Sequence, residues 1–394
     1  MAEILAHIGA GRCGSTSIQT ALTESRDILA GLDLTYPVAE GDINQNALLS
    51  LVEDKSYRIP EKVMQAVDDM REAARGASRL VLSSEGFLHL GPTRFLELVR
   101  EIAPQVTRAD VIAFVRAPHD HYLSLMQQRL RRYASIIPPE RFVRPNVPAL
   151  GRWKAASGEG SFTLRPFDPA RLEGGDVVAD FGGWLCRQTG QPVALPSCQL
   201  NSSMTAEQAI VLQRLRRTAR GVCDGQIHAV SQALVAFFNQ LNAQARVGNR
   251  LRLSEPALSA IVRANRENMD ALDAEFPDLG LAVPDVPDVP EIDLADAPWT
   301  EDGGIEHVLE RHDAALVAHL AALVPELAPQ IGDSIGPAQT AAVDHLLETT
   351  AISEQTLITI IARYWRKRDR APAIRALRRS RKKKAGAGRT PALP

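Results

Sequence analysis

Residues 3–17 read EILAHIGAGRCGSTS, and the order of residue types within them is informative. A short apolar run, Ile4, Leu5, Ala6 and Ile8, leads into a glycine-rich turn from Gly9 to Gly14. Three hydroxyls, Ser15, Thr16 and Ser17, open a helix-compatible segment behind it. Strand, glycine loop and helix start, in that order, aim backbone N–H groups and the positive end of a helix at an anion. The chain therefore announces a phosphate-type site within its first twenty residues.

Three readings compete for that loop. Gly9-x-Gly11-x-x-Gly14 matches the dinucleotide fingerprint, which also needs an acid closing the next strand. The next strand-like run, Leu32-Asp33-Leu34-Thr35-Tyr36, ends at Pro37 with its acid inside the run, and Glu40 comes too late. A Walker A loop is the second reading, because Gly9-x4-Gly14 precedes Ser15-Thr16. Ser15 stands where that loop places its lysine, so a γ-phosphate has no cation there. The third reading puts the cation inside the loop at Arg12, with hydroxyls crowding the helix start. That arrangement suits a sulfonyl group carried on a 5′-phosphate.

A second segment supports the third reading. Residues 109–115 (ADVIAFV) form a buried-strand pattern that runs into Arg116-Ala-Pro118-His119-Asp120 and then a helix bearing Ser124. An arginine at a strand's carboxyl end and a serine eight residues later can converge on one anion. The bland alternative for such an arginine is a surface ion pair.

HIGAGRCGSTSIQTAL, from His7, resembles the 5′-phosphosulfate loop of sulfotransferases that use 3′-phosphoadenosine 5′-phosphosulfate. VIAFVRAPHDHYLSLMQQRLRR, from Val111, resembles their 3′-phosphate segment, with the same arginine-to-serine spacing. The likeness is to bacterial carbohydrate-type sulfotransferases, whose loop reads like HIG-x-PKTGTT-x-x-Q. This chain keeps His7, Ile8, Gly9, Gly14, Thr16 and Gln19, and has Gly11, Arg12 and Cys13 for the usual proline, lysine and threonine. Arginine retains the charge but replaces a compact ammonium with a planar fork. Looser echoes lie at 80–87 (LVLSSEGF), 164–181 (LRPFDPARLEGGDVVADF) and 200–215 (LNSSMTAEQAIVLQRL).

The resemblance implies a P-loop-like sulfotransferase fold over residues 1–280. It also implies in-line transfer of a sulfonyl group from that donor, as co-substrate, to a hydroxyl of a saccharide or glycolipid, with no metal. Gly11, Arg12, Cys13, Gly14, Ser15, Thr16 and Ser17 would cradle the 5′ end, and Arg116 with Ser124 the 3′-phosphate. Arg12 would stabilise the charge built in the transition state. Glu85, behind the strand RLVLSS, is the first candidate for general base, with His89, His119 and His121 as rivals. A non-catalytic nucleotide- or polyanion-binding module on the same fold, or a P-loop kinase, is the alternative.

Composition fits a globular enzyme: 394 residues, 45% apolar and 23% charged. Cys13, Cys186, Cys198 and Cys223 form no CxxC pair or metal-like spacing, which suggests reduced thiols in a cytoplasmic protein. No signal peptide or eighteen-residue apolar run is expected from the pattern. The near-neutral net charge of −2 conceals an asymmetry. From Arg363 onward there are thirteen Lys/Arg and one acid, against 32 basic and 46 acidic residues before it.

Alternating patterns predict strands near 3–8, 32–36, 79–84, 109–115 and 161–166. Helices are predicted near 15–29, 60–76, 92–103, 119–133 and 177–189. The fold class is thus α/β, a parallel central sheet flanked by helices, with a mainly helical C-terminal part. Residues 134–160 are rich in Pro and Gly and carry Arg141, Arg144, Arg152 and Lys154, which suits either a substrate-covering loop or a solvated excursion. Thr205-x-x-Gln208 is a capping box, and Ser254-Glu-Pro256 opens an apolar stripe of Leu258, Ile261, Val262, Met269 and Leu272. An acidic linker and helical extension is expected over 281–350, and an amphipathic helix with a basic tail over 351–394. Leu357, Ile358, Ile361, Tyr364 and Trp365 with the following basic cluster suit an anionic membrane surface through 353–384, on the inner face of the membrane. A docked helix with a solvated tail fits the same residues, and no specific nucleic acid is expected.

Overall fold

The computed structural model describes residues 2–52, 59–156, 161–197, 203–218, 229–286, 297–324, 327 and 336–364. The chain divides into two compact units. One comprises Met1–His121, Val143–Leu200 and Ala264–Asp285, and the other Tyr122–Phe142, Asn201–Arg263 and Val286–Pro394. Described residues of the 203–263 stretch, such as Leu212, Phe238 and Ile261, share one core with the later helices.

The first unit is built on four parallel strands: β1 (Ala2–His7), β2 (Arg79–Ser83), β3 (Val106–Val115) and β4 (Phe162–Pro166), in the order β2-β1-β3-β4. Ile4, Ala6, Leu80, Leu82, Ile112 and Phe114 are fully buried, as expected for a parallel sheet covered by helices. His7 pairs with Ser83 on one side and with Ile112 on the other. The chain passes back across β1 between β2 and β3, so the switch in strand order falls at the carboxyl end of β1. In open α/β sheets ligands bind at that point.

Two sequence expectations need correction. The run at 32–36 contributes one parallel bridge, Thr35 to Leu80, rather than a strand. Pro37 follows at once, and Tyr36 turns its hydroxyl to donate to the Ile43 carbonyl at 2.6 Å. The helix expected at 15–29 breaks at Ser25 into Ser15–Glu24 and Arg26–Gly31. In the Pro/Gly-rich stretch a helix forms at Val147–Ala155, and Trp153 is buried with its indole N–H donating to the Leu88 carbonyl at 3.0 Å. That burial rules out a wholly solvated excursion.

The second unit is helical. Its core gathers residues such as Leu212, Phe238, Leu320, Leu346, Leu357 and Ile361. The capping box forms: the Thr205 N–H donates to Gln208 Oε1 at 3.0 Å, and the Gln208 N–H to Thr205 Oγ1 at 3.4 Å. The stripe from 258 to 272 is split at Asn265: Glu255–Ala264 carries its first part, and Arg266–Glu275, with Met269 and Leu272, belongs to the first unit. In the helix Glu354–Tyr364, Leu357, Ile358 and Ile361 are buried and Tyr364 packs on Phe237 with ring centroids 5.4 Å apart. The apolar face of this helix thus packs into the core of its own unit. Trp365 and the basic tail lie outside the described residues. No described helix is long and apolar enough to cross a membrane.

Candidate anion site at the carboxyl end of the sheet

The glycine loop extends the sheet before it turns. Phe114 N–H donates to the Gly9 carbonyl at 2.7 Å, and the Ala10 N–H donates to the Phe114 carbonyl at 2.8 Å. The loop is thereby fixed beside the end of β3, which delivers Arg116. On the other flank the end of β2 delivers Glu85. Side chains tie the end of β1 and the helix behind the loop to the end of β2: His7 Nδ1 lies 2.9 Å from Ser83 Oγ, and Gln19 Nε2 donates to the Ser83 carbonyl at 3.4 Å. The two outlying motif residues, His7 and Gln19, are therefore braces beneath the loop.

Gly14 ends the loop with φ +80°, a left-handed conformation. A Cβ there would lie 2.6 Å from Val177 Cγ1 and 2.9 Å from Phe167 Cε2, so both backbone and space require glycine. Gly14 offers the helix Ser15–Glu24 no side-chain cap, and the first N–H groups of a helix have no intrahelical acceptor. Ser15 is 5% exposed and its Oγ has no hydrogen-bond partner. A buried hydroxyl left open at a helix N-terminus is an anion ligand in waiting. Thr16 is exposed and Ser17 half-buried at the same end.

Arg12 holds φ +67°, costing on the order of 1 kcal/mol for a residue with a Cβ. Its carbonyl accepts a 3.4 Å bond from Arg116 Nη1, while the Arg116 guanidinium stacks over the Phe167 ring at 4.5 Å. Arg116 Nε is buried without a partner. Among the described residues, neither Arg116 nor Arg144 forms an ion pair with a carboxylate. Arg165, on β4, shows the contrasting structural use: it binds Asp180 through Nε at 3.0 Å and Nη2 at 2.6 Å.

Charge at the cradle is positive and partly desolvated. Cys13 is fully buried, its thiol donating to the Gly11 carbonyl at 3.7 Å. Burial pushes that thiol up to about 12 against the pull of Arg116, Arg144 and Arg12. Cys13 is thus a closed part of the turn and no nucleophile at neutral pH. Burial, then Arg144, Arg116 and Arg12, hold His121 down at about 3. Burial is also the largest influence lowering His119, which lies 3.8 Å from Asp120. Both shifts favour the neutral imidazole.

Glu85 is exposed and faces the loop: a Cβ on Gly11 would lie 3.5 Å from its Oε2. Ser84 Oγ, held by Asn46 Oδ1 at 2.6 Å, accepts the Gly86 N–H at 3.2 Å and shapes the turn that presents it. His89 is exposed on the short helix Phe87–Leu90. Ser124 lies on the helix Pro118–Arg129, beyond the boundary at which the first unit gives way to the second. Among the described residues no cluster of three or more His, Cys, Asp or Glu is arranged to hold a metal.

The structure thus brings together Gly11, Arg12, Cys13, Gly14, Ser15, Glu85 and Arg116. Phe167 and Arg144 were not anticipated as members. Phe167 follows a strand-like run with no charged signal of its own, and Arg144 was one of four cations in an irregular stretch. No protein-family model, curated protein or solved structure matches the chain.

Proposed function

We propose that the protein is a sulfotransferase that binds 3′-phosphoadenosine 5′-phosphosulfate at the glycine loop and passes its sulfonyl group to a hydroxyl of a carbohydrate or glycolipid. The observation that carries the reading is the open, buried Ser15 hydroxyl at a helix N-terminus beside Arg12 and Arg116. It supports a polyanion in the loop, and the resemblance of both segments to sulfotransferases supplies the identity of that anion.

In this reading the donor brings an activated sulfonyl group, and the protein's residues position it and manage charge. Loop N–H groups, Ser15 and Arg12 hold the 5′ end and stabilise negative charge on the leaving phosphate. Arg116 holds the 3′-phosphate, which distinguishes this donor from ATP. The Glu85 carboxylate, accessible beside Gly11, accepts the proton of the acceptor hydroxyl. Arg12 lacks the compactness of the usual lysine and stands at a left-handed backbone position.

Calorimetry with adenosine 3′,5′-bisphosphate, adenosine diphosphate and NAD tests the donor. A strong preference for the bisphosphate is expected, and indifference to the 3′-phosphate would overturn the reading. Turnover is then sought in a glycan screen that follows release of the bisphosphate. Glu85→Gln should retain donor binding while lowering turnover by about 10²–10⁴. Binding without turnover on any glycan would favour the non-catalytic module.

A further inference from the structure

Arg144 sits in the sequence Val143-Arg144-Pro145-Asn146, where the following proline biases it toward extended backbone. Its position is anchored at the main chain on both sides. The Arg144 N–H donates to Asn265 Oδ1 at 2.9 Å, and its carbonyl accepts the Asn146 N–H at 2.8 Å. Asn265 is fully buried and lies 121 positions later in the chain. The side chain so placed is half-buried, and its Nε has neither solvent nor a hydrogen-bond partner. Its charge reaches Cys13 in the loop and is the largest charge acting on His121.

A guanidinium nitrogen buried without an acceptor is costly, and natural proteins generally satisfy such a group. Arg165 in this same unit is paired with Asp180, whereas Arg116 and Arg144 at the cradle are not. Glu85 is the carboxylate whose charge acts at Cys13, and it makes no ion pair with Arg144. An anion from outside the protein is a partner that the Arg144 guanidinium has room to take.

We infer that Arg144 is a third cation of the anion cradle, contacting a phosphate- or sulfate-type group of the bound ligand, and that Asn265 is the residue that positions it. The inference rests on the reading of the glycine loop as an anion site, and it extends that site to a segment far from the loop in sequence. It also gives the fold a reason to bring Ala264–Asp285 back to the sheet.

The test is calorimetry of the full chain with adenosine 3′,5′-bisphosphate and, separately, adenosine diphosphate. Arg144→Ala should weaken the tighter of the two about tenfold to a hundredfold, as for a lost charge-assisted hydrogen bond. Arg141→Ala removes the same charge from an exposed neighbour and should leave affinity unchanged. Asn265→Ala should weaken binding severalfold, Asn265→Asp should restore it by keeping the acceptor oxygen, and Arg144→Ala/Asn265→Ala should lose no more than Arg144→Ala alone. Circular dichroism confirms that each variant is folded. Wild-type affinity in Arg144→Ala, an equal loss in Arg141→Ala, or additive losses in the double variant would each overturn the inference. A wild-type protein that binds both ligands equally sinks the donor assignment while Arg144 is still judged on either ligand. Binding of neither overturns both.

Discussion

A buried polar network in the helical unit and the cradle in the sheet unit are finished in opposite ways. In the helical unit Glu207 is fully buried, and its carboxylate accepts from the Asn249 N–H at 2.8 Å, from Asn249 Nδ2 at 2.6 Å and from the Asp313 N–H at 2.9 Å. Nearby, Gln208 exchanges amide hydrogen bonds with Asn242 at 2.9 and 3.1 Å. In the sheet unit the cradle leaves Ser15 Oγ, Arg116 Nε and Arg144 Nε open. Satisfied buried polar groups specify a fold, whereas open ones store a demand that a ligand can meet. What sets the cradle apart is that its open groups gather at one glycine loop, at the carboxyl end of the sheet.

Breaking the satisfied network should have the largest effect on stability. Glu207→Ala strands two backbone N–H groups and an amide, at a cost of about 3 kcal/mol or more. Urea unfolding should show the loss, with nucleotide affinity per folded molecule unchanged.

Removing an open cation should have the reverse signature. Arg116→Ala is expected to lower adenosine 3′,5′-bisphosphate affinity about a hundredfold, close to 2.7 kcal/mol. Its unfolding midpoint in the absence of ligand should stay at the wild-type value or rise, because a half-buried cation near two others is relieved. A large fall in that midpoint would mean that Arg116 is structural.

Acid should weaken the sheet unit through two histidines. His7 and His121 are held neutral by burial, both at about 3 in the folded protein against 6.5 in the unfolded chain. The unfolded chain then binds more protons between those values, so their contribution is complete above pH 6.5 and is lost as pH falls toward 3. Each approaches a slope of about 1.4 kcal/mol per pH unit within that window. Urea midpoints at pH 7.5 and 5.0 should differ accordingly, and His121→Gln should flatten part of the difference. An anion bound at the cradle should lift His121, a shift that can be followed by NMR.

The smallest effect is expected at Cys13. With its thiol at about 12, roughly one molecule in ten thousand is thiolate at pH 8. Iodoacetamide should leave Cys13 unlabelled in the native protein and label it after unfolding, as read by mass spectrometry. Native labelling would show that the loop is open.

Much of the sheet unit was legible in local sequence. Parallel strands buried on both faces read as continuous apolar runs, and β1, β2, β3 and β4 were each anticipated within a few residues. The run at 32–36 failed because strand character without a second neighbour yields only the Thr35 bridge. The unit boundary was invisible because the helices beyond residue 204 carry ordinary amphipathic patterns. Such a pattern says that a face is buried and is silent about what buries it.

Sequence by itself determined the strand–loop–helix opening, the cation inside the loop, the capping box at Thr205 and the strand-end position of Arg116. These are effects of neighbours within a few residues: glycine conformations, helix ends and apolar periodicity. Tertiary structure alone decided which arginines find acids and which do not. It paired Arg165 with Asp180, left Arg116 over Phe167, and anchored Arg144 through Asn265. The cost of a buried charge depends on the whole set of groups packed around it, and long-range folding assembles that set.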